Sequence, residues 1–247
     1  METTDPNLWQ QLLAWLHGLG LHLGSGPVAA VGEQVGAGVA DAASRMDMPS
    51  LLALAAALGW ASGFRLYAVV FLVGVAGAAG WIALPPGLMV LQHPALLLAS
   101  GFMLFMEFFA DKIPGVDSVW DMLNSVIRIP AGAALAAGAL GADGATMGLV
   151  GALLGGGLAA TSQAAKTTTR AAINTSPEPF SNLAMSLVED GLVVGALWLA
   201  TNHPLAFGIL LVIVVVLMWI VTWILFKFLR AVIRRLIALL SAAPKEA

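Results

Sequence analysis

The chain has no cysteine, and charged residues make up only 10% of its 247 positions. Without cysteine there is no disulfide framework, no thiolate metal site and no cysteine nucleophile, while the redox compartment stays open. The amino end, METTDPNLWQQ, lacks a basic segment followed by an apolar one, so no cleaved signal peptide is expected and the first spans should persist. Cations are also missing locally: residues 81–94, 142–144 and 202–204 contain neither lysine nor arginine. Eleven cations against fourteen acids, with so few cations in any one patch, argue against a nucleic-acid surface.

What remains is overwhelmingly apolar. A hydrophobic content of 60% and a mean hydropathy of +0.91 place the chain among integral membrane proteins. A helix needs about 20 apolar residues to cross hydrocarbon, and six stretches qualify, roughly 51–80, 95–112, 118–141, 145–166, 182–201 and 205–226. The third opens as an amphipathic segment and carries Pro130, which makes its full insertion the least certain of the six. The three cation-free segments then fall on one side, and Arg45, Lys112, Lys166, Arg170, Lys227, Arg230, Arg234 and Arg235 on the other. The positive-inside tendency makes that second side cytoplasmic, with both termini inside an inner membrane. Trp60 and Trp81 are about 30 Å apart along a helix, one hydrocarbon thickness, and read as interface anchors.

The fold class expected is all-α, a polytopic helical bundle of about six transmembrane helices. Six spans divide as three plus three, the arrangement an inverted repeat requires. Residues 1–48 form a separate amino-terminal region, in which Leu8, Leu12, Trp15, Leu16, Leu19 and Leu23 line one stripe of an amphipathic, interfacial helix suited to lipid or a partner subunit. Residues 49–226 form the membrane domain, and 227–247 a basic carboxy-terminal helix and tail. Gly59 with Gly63 and Gly151 with Gly155 repeat the small-xxx-small spacing that lets helices approach closely, and packing alone accounts for them.

Charges inside the spans need a different account. Glu107 and Asp111 share a helical face at the end of the second span. Asp117, Asp121, Asn124 and Arg128 follow one stripe at the start of the third. An ionisable group at bilayer depth costs about 2.5–3.5 kcal/mol on insertion scales, so this stripe should face protein or a wet cavity and pair. Partners are present in Arg65, in Ser162, Lys166 and Arg170 at helical spacing, and in Asn182, Ser186, Glu189 and Asp190 on the fifth span. The candidate polar core is therefore Arg65, Glu107, Asp111, Arg128, Lys166, Arg170, Glu189 and Asp190.

SGFRLY, EFFADKIPGVDSVWD with IRIPAG downstream, and SNLAMSLVED occur in an order that resembles a bacterial multi-pass membrane family catalogued as a domain of unknown function, DUF4126. The resemblance runs from about residue 50 to 235, implies a membrane fold, and brings no activity, substrate or catalytic residue with it.

Three functions fit the pattern. Buried acids and bases suit a small transporter or channel for a proton, ion or small charged solute. The amphipathic amino end and basic tail suit a structural or assembly subunit, as a homo-oligomer or with a partner. Glu107, Asp111, Asp117 and Asp121 would suit a divalent cation in an intramembrane enzyme acting on a phospholipid. No HExxH, GxSxG or lipid-phosphotransferase signature accompanies those acids, no other cofactor is evident, and no catalytic residue can be named. Transport is the preferred expectation, and enzymatic activity is not.

Overall fold

The computed structural model describes residues 46–110, 113, 116–141, 144–175 and 179–241. The interfacial helix expected before residue 46 lies outside them, as does Asp111. Among the described residues the protein is all helical: α1 (Met48–Ala78), a 3-10 helix (Pro86–Gln92), α2 (Pro94–Ala110), α3 (Val116–Leu140), α4 (Ala145–Ile173), α5 (Pro179–Asn202) and α6 (Pro204–Ser241). Five helices are long and apolar enough to cross a membrane. The 3-10 helix and α2, bent by 69°, pass the same test together as a broken span or re-entrant loop.

Local chemistry sets the ends of α1. The Asp47 carboxylate accepts from the Ser50 backbone N–H at 3.2 Å, and Pro49 fits a first turn in which its missing N–H costs nothing. Hydrogen bonding to Ser50, through its side chain first and its backbone second, holds the Asp47 carboxyl below the usual carboxylate range. At the other end Gly80, with φ of +72°, lets the Trp81 N–H turn back onto the Ala76 carbonyl at 2.8 Å. A left-handed residue just past a helix is the usual stop, and glycine pays no Cβ penalty there.

Helix α1 is the hub, packing against every other described element. Small residues make this geometry possible. A Cβ on Gly59 would run into the backbone of Gly155, and one on Gly155 into Gly132 and Ala136, so α1, α3 and α4 meet almost backbone to backbone. Both glycine pairs expected from the sequence thus lie at helix contacts, Gly63 against Ala159 and Ser162, and Gly151 against Ala136.

Two expectations change. Residues 81–94 are not a simple outer loop: Leu84, Leu88 and Leu91 are buried in the core, and a Cβ on Gly87 would meet the Gly138 backbone of α3. Consecutive prolines at 85 and 86 forbid continuation of a regular helix there, which bends the chain back inward. Trp60 is no interface anchor. It is buried well inside α1, edge-on to Phe64, with its indole N–H donating to the Met218 sulfur at 3.3 Å, whereas Trp81 is exposed. Lys227, Arg230, Arg234 and Arg235 continue α6 as part of one helix. At 1.5 Å per residue its 38 residues span about 57 Å, well beyond a hydrocarbon core of about 30 Å.

Gly157 lies near this seam in sequence but faces open space. Replacing it with alanine should raise stability by about 0.5–1 kcal/mol through helix propensity. Gly155→Ala should instead lower it by about 1–3 kcal/mol through overpacking. Thermal unfolding in detergent micelles checks the opposite signs.

Candidate functional site

Five of the six helices deliver charged side chains to one interior cluster. Arg65 comes from α1, Glu107 from α2, Asp121 and Arg128 from α3, Lys166 and Arg170 from α4, and Glu189 and Asp190 from α5. The packing of α3 on α4 and of α1 on both carries these positions inward. On α3, Asp121, Asn124 and Arg128 share the inward stripe, and all three are buried.

Two linked groups make up the cluster. In the first, Arg128 donates through Nη2 to Glu107 Oε1 at 2.5 Å, and through Nη1 to Asp121 Oδ1 at 2.8 Å and Gln163 Oε1 at 3.1 Å. In the second, Arg170 holds both oxygens of Glu189, at 3.2 and 3.0 Å, the fork geometry that suits guanidinium and carboxylate. Lys166 joins the two, with its ammonium 3.1 Å from Asp121, 3.2 Å from Glu189 and 4.0 Å from Glu107. Arg65 closes the array, its Nε 2.7 Å from Asp190 Oδ1 and 3.8 Å from Glu189 Oε2, while Nη2 donates to the Ser186 hydroxyl at 2.5 Å.

Four bases thus face four acids, so the fully ionised cluster carries no net charge. Balance of this kind is what permits burial, since a lone ion in low dielectric is far more costly than a paired one. Pairing is not complete at every atom: Asp121 Oδ2 and Arg128 Nε are buried without a hydrogen-bond partner in the protein. Burial itself is uneven. Seven of the eight side chains are 0–3% exposed, but Asp190 is 36% exposed.

The backbone is irregular at the same place. Near the middle of α1, Arg65 leaves helical conformation with φ −145° and ψ 79°. One residue earlier, the Phe64 carbonyl accepts from the Lys166 ammonium at 2.9 Å. A buried cation thereby satisfies a carbonyl at the break, as a broken helix away from water requires.

All the described members of the expected polar core meet here, namely Arg65, Glu107, Arg128, Lys166, Arg170, Glu189 and Asp190. Asp121, grouped from the sequence with a metal set, sits between Arg128 and Lys166 instead. Glu107 is engaged in the same way, and the side chain of Asp117 is outside the described residues. Among the described residues no group of three His, Asp or Glu could hold a metal ion. Sequence reasoning missed Gln163, which precedes Lys166 by three positions and so shares its face, and Tyr67, whose hydroxyl pairs with Asn124 Oδ1 at 2.7 Å. It also missed the break at Arg65, for which SGFRLY contains no proline to signal it.

The chain belongs to the family described as a domain of unknown function (DUF4126), which it matches over residues 52–224. No curated protein and no solved structure matches it. The matched region contains the whole charge cluster and ends within α6.

Removing one member of a buried charge network strands its partners, at a cost of about 3–5 kcal/mol. Lys166→Met should therefore lower unfolding free energy by that amount in micelles. Lys227→Met, on the exposed end of α6, should change it by less than about 1 kcal/mol. Equal effects would show that the buried network does not hold the helices together.

Proposed function

We propose that this protein is a small carrier or channel that moves a proton, an ion or a small charged solute through the buried charge cluster. One observation carries the reading: α1 breaks at Arg65, in mid-span, where charged side chains from five helices converge. Interrupted helices beside intramembrane charge are the usual construction of a solute site, because broken backbone is tolerated in a membrane only where protein or a wet cavity surrounds it. Shared partners supply a means of exchange. Lys166 contacts three acids and Arg65 two, so a proton or ion that neutralises one acid leaves each base another to hold. Asp121 Oδ2, buried without a hydrogen-bond partner in the protein, is a further acceptor for a proton within the network.

The topology that accompanies this proposal counts the bent 3-10 helix and α2 as one span, giving six, with both ends in the cytoplasm of a bacterial cell. Lys227, Arg230, Arg234 and Arg235 then extend α6 beyond the inner membrane on the positive side. An inverted repeat draws little support, since α4, the counterpart of α1 in a three-plus-three division, runs unbroken from Ala145 to Ile173.

A structural subunit is the competing reading, favoured by the exact balance of charge. A divalent-ion enzyme draws least support, because Glu107 and Asp121 are both engaged by Arg128. Proteoliposome flux separates the first two. Under imposed gradients of protons, sodium, potassium or chloride, purified protein should pass at least one ion. Glu107→Gln, verified as folded by its elution and melting, should reduce that flux by about tenfold or more. No flux under any gradient would favour the structural subunit.

A further inference from the structure

Helix α6 changes character along one face. Val216, Trp219, Trp223, Lys227, Arg230 and Arg234 follow one another at intervals of three or four positions, which keeps them on a single stripe, and all six are exposed. Arg235 lies about 100° round the helix from Arg234 and so stands off the stripe. The order along it is apolar, then aromatic, then basic. Counted from the turn at His203, Trp223 stands about 30 Å along the helix, where a hydrocarbon core of that thickness ends and indole rings favour the interface. The three cations follow over roughly the next 16 Å. Side chains on a helix lean toward its amino end, here back toward the bilayer. Lys227 does so, with its Nζ 3.5 Å from the centre of the Trp223 ring. No counter-ion is built into this helix: Pro204–Ser241 contains no Asp or Glu, and among the described residues no acid pairs with any of these cations.

From this order we propose that the stripe is a binding site for an anionic phospholipid of the leaflet through which the basic end of α6 emerges. Water alone would satisfy the cations but not the apolar and indole surface that runs on from them, and hydrocarbon alone would do the reverse. A phospholipid satisfies both in the same sequence. Its acyl chains lie along Val216 and Trp219, Trp223 meets it at the level where chain gives way to headgroup, and its phosphate oxygens accept from Lys227, Arg230 and Arg234. Guanidinium forks suit phosphate oxygens in pairs, while the Lys227 ammonium supplies a point charge closest to the hydrocarbon. A net negative headgroup is preferred over a zwitterionic one because no acid on the helix offers a partner to choline or ethanolamine. The site is separate from the buried charge cluster and does not depend on whether that cluster conducts.

The test is quenching of tryptophan fluorescence in the full chain, reconstituted in phosphatidylcholine bilayers that hold a fixed fraction of brominated phosphatidylglycerol or brominated phosphatidylcholine. The chain has 8 tryptophans, so each protein is compared with a form in which Trp219 and Trp223 are both replaced by phenylalanine, and the difference reports the stripe. On that difference phosphatidylglycerol should be preferred over phosphatidylcholine by about tenfold or more. Arg234→Gln should cut the preference about fivefold, the worth of one cation near an anionic surface. Lys227→Gln, Arg230→Gln and Arg234→Gln together should abolish it, whereas Arg235→Gln should change it by less than about twofold. All four side chains are exposed, so the variants should melt as the wild type does. Equal losses in Arg234→Gln and Arg235→Gln would reduce the effect to diffuse attraction by a charged helix end, and no preference in the wild type would mean no site. Weak quenching by both lipids, with a doubled sedimenting mass in detergent that the two phenylalanine substitutions return to that of one chain, would give the face to a second copy. Each of these three results overturns the phospholipid site.

Discussion

The Lys166 ammonium is the interaction on which the rest of this structure depends. It reaches Asp121 on α3, Glu189 on α5 and the Phe64 carbonyl at the break in α1, and it approaches Glu107 on α2. Without it, one half of the cluster would lose its connection to the other, and the carbonyl beside the break would lose its donor. A flexible stem bearing three donors suits this position, whereas the planar forks of Arg128 and Arg170 suit the paired contacts on either side. The distribution of lysine and arginine across the cluster therefore follows from geometry.

Such convergence needs narrow helices. Charged side chains from α1, α3 and α4 can share partners only because Gly59, Gly132 and Gly155 bring the backbones together elsewhere along the same contacts. The converse also holds. Apolar packing offers little net drive for association inside lipid, where an alkane-like solvent already surrounds each helix. Close packing and charge pairing are thus mutually dependent. Helix α2 shows it most plainly, since most of its apolar side chains are exposed while Glu107, near its end, is wholly buried against Arg128.

Much of this was legible in the residues. Four polar positions at i, i+4, i+7 and i+11 on α3 cannot face lipid, and the cost of placing ions there predicts a buried cluster before any partner is known. Partner identity was less accessible, because spacing along one helix says nothing about rotation relative to another. Asp121 shows the limit: by sequence it belongs equally to an acidic metal set and to the stripe that ends at Arg128, and only its position beside two cations decides. Trp60 misled for a related reason. Tryptophan favours membrane interfaces, yet the Met218 sulfur gives its N–H a partner and Phe64 gives its ring a neighbour inside the bundle, which outweighs the preference. The break at Arg65 left no mark in composition, and its contacts, Lys166 on the Phe64 carbonyl and Ser186 on the guanidinium, come from other helices.

Balance and burial together distinguish a lock from a path. A lock is most stable when every ion is enclosed and every partner fixed, and seven of the eight side chains meet the first condition. The eighth, Asp190, does not, and it is attached to the rest through Arg65 at the one point where α1 is not helical. Exposure and backbone irregularity thus coincide on a single ion pair, while the interior pairs of Arg128 and Arg170 remain enclosed. A network that exchanges charge with something arriving from outside would need one accessible acid, a base with an alternative partner, and a segment of backbone able to adjust between them. On the carrier reading proposed above, Asp190 would be that acid and Arg65 that base, with Glu189 as its second partner and the non-helical backbone at Arg65 beside them.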